Sequence, residues 1–297
     1  MSVGDNPFLV GKEKPIVVGH RGVPKLHQEN TLAGFRRAVE LGLPAIELDV
    51  RLTRDHKAVC VHDHNLKRLT GSSFDVDDVT WDQLSRMRIK RELPMGVDAS
   101  GADVMIRYER EERIPLLAEV LAEVASRTVV NVELKLDLAR LWTTQIGRVA
   151  AEVIAEARAE HRVIVTSFDP RKLRAAVHKE SRLAVGFCFD DTMLNFASPV
   201  LDPRKMLIRI LESNFVNWLL GTRLVGAEHT LIGQRTVDRL HRKGIAIGTH
   251  TLFPLGSTTG KPIDPAANTE AEVHRLVELG VDWIESDDPE RLQRLVA

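Results

Sequence analysis

The sequence predicts an α/β fold, a TIM (β/α)8 barrel with a small insertion after the second strand. Three observations predict it. Eight short runs rich in β-branched residues recur along the chain, and most are followed by a stretch of helical spacing. Such alternation is the signature of a parallel sheet covered by helices. The length of 297 residues then accommodates eight β–α units, for which ~250 residues is typical. A doubly wound open sheet is the competing arrangement of the same pattern.

The eight runs are Ile16–His20, Ala45–Arg51, Val129–Lys135, Arg162–Ser167, Leu183–Cys188, Arg223–Ala227, Ile245–His250 and Val281–Glu285. Helical spacing follows in Thr31–Leu41, Leu138–Ala159 and Pro170–Glu180. Gln234–Lys243 and Thr269–Leu279 read likewise, and end at Gly244 and Gly280, which suit a helix C-terminus. Three stretches exceed the short connections of a barrel. Asp63–Glu112 follows a short extended run, Ala58–His62, and shows scattered charge with little periodicity. Asp190–Leu220 contains an apolar helical stretch, Met206–Leu220, and Thr251–Asn268 is rich in Gly, Pro, Ser and Thr. All three follow the C-terminal ends of strands, where barrels build their sites. Residues 1–297 therefore read as one domain, with the insertion at about 63–112.

The composition is that of a globular protein, 43% apolar and 28% charged. A net charge of -1 gives no basic field for nucleic acid. No apolar run approaches the ~18 residues of a membrane span, and Met1–Lys14 has no apolar core of a signal peptide. A cytoplasmic location is expected, and a homo-oligomer is left open. Cys60 and Cys188 lie apart in apolar runs and read as buried reduced thiols.

Polar residues interrupt two strands. In AIELDVR, Glu47 and Asp49 share one face, with Ile46, Leu48 and Val50 on the other. In VVNVELK, Asn131, Glu133 and Lys135 share a face against Val130, Val132 and Leu134. If the apolar faces meet the helices, three carboxylates converge inside the barrel mouth. They repel, and a hard divalent cation such as Mg²⁺ or Ca²⁺ neutralises them. A polar layer salt-bridged by Arg51 and Lys135 is the competing reading. His20 ends the first strand beside Gly22 and Arg21, whose guanidinium can fork onto phosphate. His62 ends its extended run beside Asp63, which can orient an imidazole. Two histidines and a carboxylate-held metal supply acid, base and charge stabilisation, the needs of phosphodiester cleavage.

The ordered set GHRG (Gly19–Gly22), ENT (Glu29–Thr31), IELDV (Ile46–Val50) and VHD (Val61–Asp63) resembles the glycerophosphodiester phosphodiesterase family. LKRLTG (Leu66–Gly71), IPLLAEVL (Ile114–Leu121), VELK (Val132–Lys135), TSFDP (Thr166–Pro170) and DDPE (Asp287–Glu290) are similar too. The resemblance implies a TIM barrel with the insertion after the second strand and its extended run. It implies Glu47, Asp49 and Glu133 as ligands of Mg²⁺ or Ca²⁺, His20 and His62 as base and acid, and Arg21 and Lys135 on the phosphate. Glu29 is the ENT residue expected to touch the site. The substrate would be a small phosphodiester, split to sn-glycerol 3-phosphate and an alcohol. Whether a glycerol hydroxyl or water attacks first is left open.

Two departures stand out. Gln28 precedes the ENT glutamate where proline is usual. In the seventh strand, GTHTL (Gly248–Leu252) stands where many members carry a WTVN-like segment, so Gly248 replaces an aromatic. Glu228 and His229 at the sixth strand are also unusual. Two other functions remain open to this sequence: a lysophospholipase D-like or sphingomyelinase D-like enzyme acting on lipids, and a barrel that binds phosphate esters without cleaving them.

Overall fold

A computed structural model of the chain describes residues 6, 8–9, 13–136, 143–190, 203–213, 215–257 and 262–297. The strands in chain order are β1 (Ile16–Gly19), β2 (Ala45–Leu52), β3 (Ala58–Cys60), β4 (Glu92–Val97), β5 (Asp103–Arg107) and β6 (Val129–Leu134). They continue with β7 (Val163–Ser167), β8 (Ala184–Phe189), β9 (Leu224–Glu228), β10 (Ala246–Leu252) and β11 (Trp283–Ser286). The ring β1-β2-β6-β7-β8-β9-β10-β11 is parallel throughout, and β11 pairs back onto β1. A closed barrel results, and the open-sheet alternative is excluded. Each predicted strand is found, displaced by at most one or two residues at an end.

Helices cover the ring at Leu32–Glu40, Gln145–Glu156, Pro170–Lys179, Gln234–His241 and Glu270–Leu279, within the stretches of helical spacing. Residues 138–142 of the expected second helix lie outside the described residues. Leu117–Val124 and Pro289–Val296 come in addition, and the apolar stretch after β8 divides into Pro203–Ser213 and Phe215–Leu220. Side-chain caps start several helices. Thr31 accepts from the Gly34 N–H, Thr269 from Glu272 N–H and Asp288 from Arg291 N–H. Gly280 ends its helix in the left-handed region as expected, at φ 77°. Gly244 closes its helix in the same way, at φ 66°, with its N–H on the His241 carbonyl at 2.9 Å and the Ile245 N–H on the Leu240 carbonyl at 3.0 Å.

Strand alternation divides the residues as the sequence predicts. Ile46, Leu48 and Val50 of β2 and Val130, Val132 and Leu134 of β6 join the large core beneath the helices. The opposite face lines the barrel. At its N-terminal end Val18, Ala45, Val129, Ile164, Ala184, Leu224, Ala246 and Trp283 pack together. Phe8 plugs this end, edge-on to Trp283 with ring centroids 5.6 Å apart.

Residues 63–112 form a compact appendage. Its pieces are a short helix (Lys67–Thr70), a 3-10 turn (Val76–Asp78), a second short helix (Trp81–Ser85) and the antiparallel pair β4–β5. A separate apolar cluster, including Leu66, Leu69, Val76, Leu84, Ile89 and Leu93, holds them together. The two helices complete barely one turn each, and the two strands are short, so no long periodic run marks the segment. The loop after β10 leans on it, with Ser257 and Val97 exchanging backbone hydrogen bonds of 3.1 and 2.8 Å. Among the described residues no helix is long and apolar enough to cross a membrane.

Candidate active site

The first histidine is set by a tight turn. After β1, Arg21 and Gly22 both adopt positive φ, 53° and 91°. A Cβ on Gly22 would press on the backbone of Gly34 and the ring of Phe35, so the turn needs glycine there. The turn aims the Arg21 N–H at Glu47 Oε2, 2.9 Å away. It also turns His20 toward the barrel axis. His20 Nδ1 lies 2.6 Å from Asp287 Oδ1, just beyond β11, and Nε2 lies 3.9 Å from Glu47. Asp287 is fixed in turn by the Leu255 N–H. Burial would raise its pKa, but His20 and Arg21 outweigh that and hold it below the usual carboxylate value.

The second histidine is built the same way. His62 Nδ1 lies 2.9 Å from Asp63 Oδ1, and Asp63 Oδ2 accepts from Arg68 Nε at 2.6 Å. Burial, Arg21 and Lys135 hold the His62 imidazole below its ordinary pKa. In both histidines the carboxylate on Nδ1 fixes the ring and leaves Nε2 as the second nitrogen. Arg68 also donates twice to Glu29, which accepts from Arg21 Nη1 at 3.1 Å. Glu29 is therefore fully engaged by two guanidinium groups. It orients Arg21, and through that guanidinium it borders the site.

Between the histidines the carboxylates converge. Asp49 and Glu133 are register partners across β2 and β6. Oxygens of Glu47, Asp49 and Glu133 lie within 4.8 Å of one another. Asn30, at φ 57°, clasps Asp49 from both sides, donating to Oδ2 at 2.8 Å and accepting the Asp49 N–H at 3.0 Å. Lys135 Nζ sits 3.2 Å from Asp49 and 2.8 Å from Glu133, and Arg21 Nε is 3.2 Å from Asp49. Arg51 Nε donates to the His62 carbonyl at 2.8 Å. The charges remain unbalanced around Glu47. Burial, then Asp49, Glu285 and Glu133, push its pKa well up, and Oε1 is buried without a hydrogen-bond partner. Asp49 goes the other way, since Lys135 and Arg21 overcome the effect of burial. An all-oxygen donor set with an unpaired buried oxygen fits a hard divalent cation.

A cavity of about 230 Å³ opens beside these groups, lined by His20, Arg21, His62, Glu133 and Lys135 on one side. Its other wall includes Asn131, Thr166, Phe168, Cys188, His250, Trp283 and Glu285. Asn131 donates to Glu285 at 2.7 Å and accepts from Thr166 at 2.8 Å. Burial pushes the Glu285 pKa up to about 7.

The pattern of the glycerophosphoryl diester phosphodiesterase family matches residues 20–291. The chain belongs to that family. A glycerophosphodiester phosphodiesterase of Caldanaerobacter subterraneus is 28% identical over 287 residues, spanning 95% of this chain and 98% of its relative. Lysophospholipase D GDPD1 of Rattus norvegicus is 24% identical, over 94% of this chain and 85% of the other. Among solved structures, an Oleispira antarctica phosphodiesterase in complex with the product sn-glycerol-3-phosphate aligns with a TM-score of 0.65. It is 18% identical, over 95% of this chain and 97% of that one. A glycerophosphodiester phosphodiesterase of Parabacteroides distasonis aligns at 0.67 and 18% identity, over 96% and 98%.

The departure from the family pattern at Gly248 has a local explanation. Gly248 is the register partner of Trp283 on β11, and a Cβ on Gly248 would overlap the Trp283 indole. The aromatic expected on β10 is replaced by one from the neighbouring strand. Several site groups carry weak sequence signals. Asp287 lies inside the DDPE segment, and Asn30 inside ENT, without spacing that points to His20 or Asp49. Glu285 shares a strand face with Val281 and Trp283, a signal of the same kind that exposes Glu47 but blurred by the charged Asp282 on the other face.

Proposed function

We propose that the chain hydrolyses glycerophosphodiesters to sn-glycerol 3-phosphate and an alcohol, by paired acid–base action of His20 and His62. The observation that carries this reading is the symmetry of the two histidines. Each has Nδ1 on a carboxylate, Asp287 or Asp63, and both line one cavity beside Glu47, Asp49 and Glu133. An imidazole held this way passes a proton through Nε2 while its partner stabilises the imidazolium. His20 is assigned as base and His62 as acid. Arg21 and Lys135 border the cavity as fixed cations for the phosphate oxygens. Glu47, Asp49 and Glu133 would hold Mg²⁺ or Ca²⁺, which supplies Lewis-acid stabilisation of the phosphate when bound. Residues 1–297 act as one catalytic unit, and the appendage at 63–112 contributes Asp63 and Arg68 to it.

The rat relative's name directs attention to lysophospholipids as a second substrate class. The small cavity favours the soluble diester. Release of glycerol 3-phosphate from glycerophosphocholine, compared with hydrolysis of lysophosphatidylcholine, decides between them. Hydrolysis of glycerophosphocholine that stops in EDTA and returns with Mg²⁺ or Ca²⁺ is the expected result. Binding without turnover under both metals would sink the catalytic reading.

A further inference from the structure

One end of the cavity is not used by the groups assigned above. The wall on β8, β9 and β10 is formed by Cys188, Gly226 and His250. Cys188 and Gly226 are register partners and add little bulk. A Cβ on Gly226 would stand 3.0 Å from Cys188 Sγ and 3.9 Å from His250 Nδ1. His250 thus borders the space that the two small residues leave.

His250 Nε2 is buried and has no hydrogen-bond partner among the described residues. Phe168 meets the ring edge-on, with centroids 5.7 Å apart and planes at 76°. That contact holds the imidazole in place without satisfying its nitrogen. A polar atom in a cavity wall needs a hydrogen-bonding partner, which water supplies in the empty cavity and a ligand hydroxyl can replace. Burial lowers the His250 pKa, which favours the neutral ring. A neutral imidazole nitrogen is one donor or one acceptor, and a hydroxyl can serve either. The cavity of about 230 Å³ is also smaller than the ~300–1,000 Å³ usual for larger ligands. A short polyol suits this end better than an acyl chain.

We propose that His250 is a specificity-determining residue, whose ring nitrogen hydrogen-bonds a hydroxyl on the carbon skeleton of the phosphate ester. This rests on the glycerophosphodiester reading and adds the group that tells a polyol ester from one lacking the hydroxyl.

Titration calorimetry with Mg²⁺ present tests it, using sn-glycerol 3-phosphate and 1,3-propanediol monophosphate, which lacks the secondary hydroxyl. The wild type should bind the glycerol ester about tenfold more tightly, the scale of one well-placed hydrogen bond. His250→Phe should bring the ratio close to one, and His250→Leu serves as a second removal of the nitrogen. Equal binding of both esters by the wild type overturns the assignment, whatever the variants do. A tenfold ratio that survives in either folded variant overturns it too. A wild type that binds neither ester has a different signature, and overturns the glycerophosphodiester reading together with the assignment.

Discussion

The two ends of the barrel interior are made by the same strands, two residues apart. At the N-terminal end β2, β6, β7 and β11 contribute Ala45, Val129, Ile164 and Trp283. Two residues on, the same strands contribute Glu47, Asn131, Thr166 and Glu285, all of them buried. The lower layer removes apolar area from water and stabilises the fold. The upper layer holds carboxylates that repel one another and a Glu47 oxygen with no partner. Identical backbone geometry thus supports one layer that stabilises the fold and one that is held against its own electrostatics. Such a division is the form in which a barrel carries a site.

The largest separation between the layers should come from the histidines. His20→Ala or His62→Ala is expected to lower turnover by ~10²–10⁴ in the folded protein. Near-wild-type turnover in either would remove that residue from the acid–base pair. The converse substitution is Ile164→Ala, in the fully buried lower layer. It should cost about 2–5 kcal/mol in denaturant unfolding, with kcat/KM largely kept in the folded fraction. A large loss of kcat/KM at unchanged stability would break the contrast.

Glu285 gives a pH-dependent version. Its pKa is about 7 in the folded chain against an ordinary 4.5. The folded state therefore holds the proton more tightly. Stability from this group is present below about pH 4.5 and lost as pH rises through 7. In EDTA, Glu285→Gln should flatten that decline, a difference on the order of a few kcal/mol at pH 8. Parallel stability curves for variant and wild type between pH 4.5 and 8 would show that the carboxyl is not held protonated. The smallest effect is expected from Glu47→Gln. An amide can still accept the Arg21 N–H and no longer repels Asp49, so metal-free stability should rise by about 1–2 kcal/mol. Activity should fall in the same protein. A loss of stability instead would mean that Glu47 is already balanced without a cation.

Much of this was legible in the sequence, for reasons that differ by residue. Glu47, Asp49 and Glu133 stood out because period-two alternation makes a charged residue inside an apolar run conspicuous. His20 and His62 stood out because they end such runs. Asp287 and Arg68 were harder to see, since they reach their partners across 267 and 39 residues. No local spacing encodes contacts of that kind. Glu29 was legible as part of the site, but its two arginine partners were not, because Arg68 comes from a separate segment. The appendage at 63–112 could be bounded but not resolved, since its helices of one turn and its short strands form no long periodic run like those of the barrel.

The exchange at Gly248 and Trp283 bears on how such a barrel changes over generations. The two positions are not independent: the effect of a residue at one depends on what occupies the other. Placing tryptophan at 283 while an aromatic still stood at 248 would force two rings into one space. A substitution at either site alone would mislead anyone using it to judge what this floor can accept.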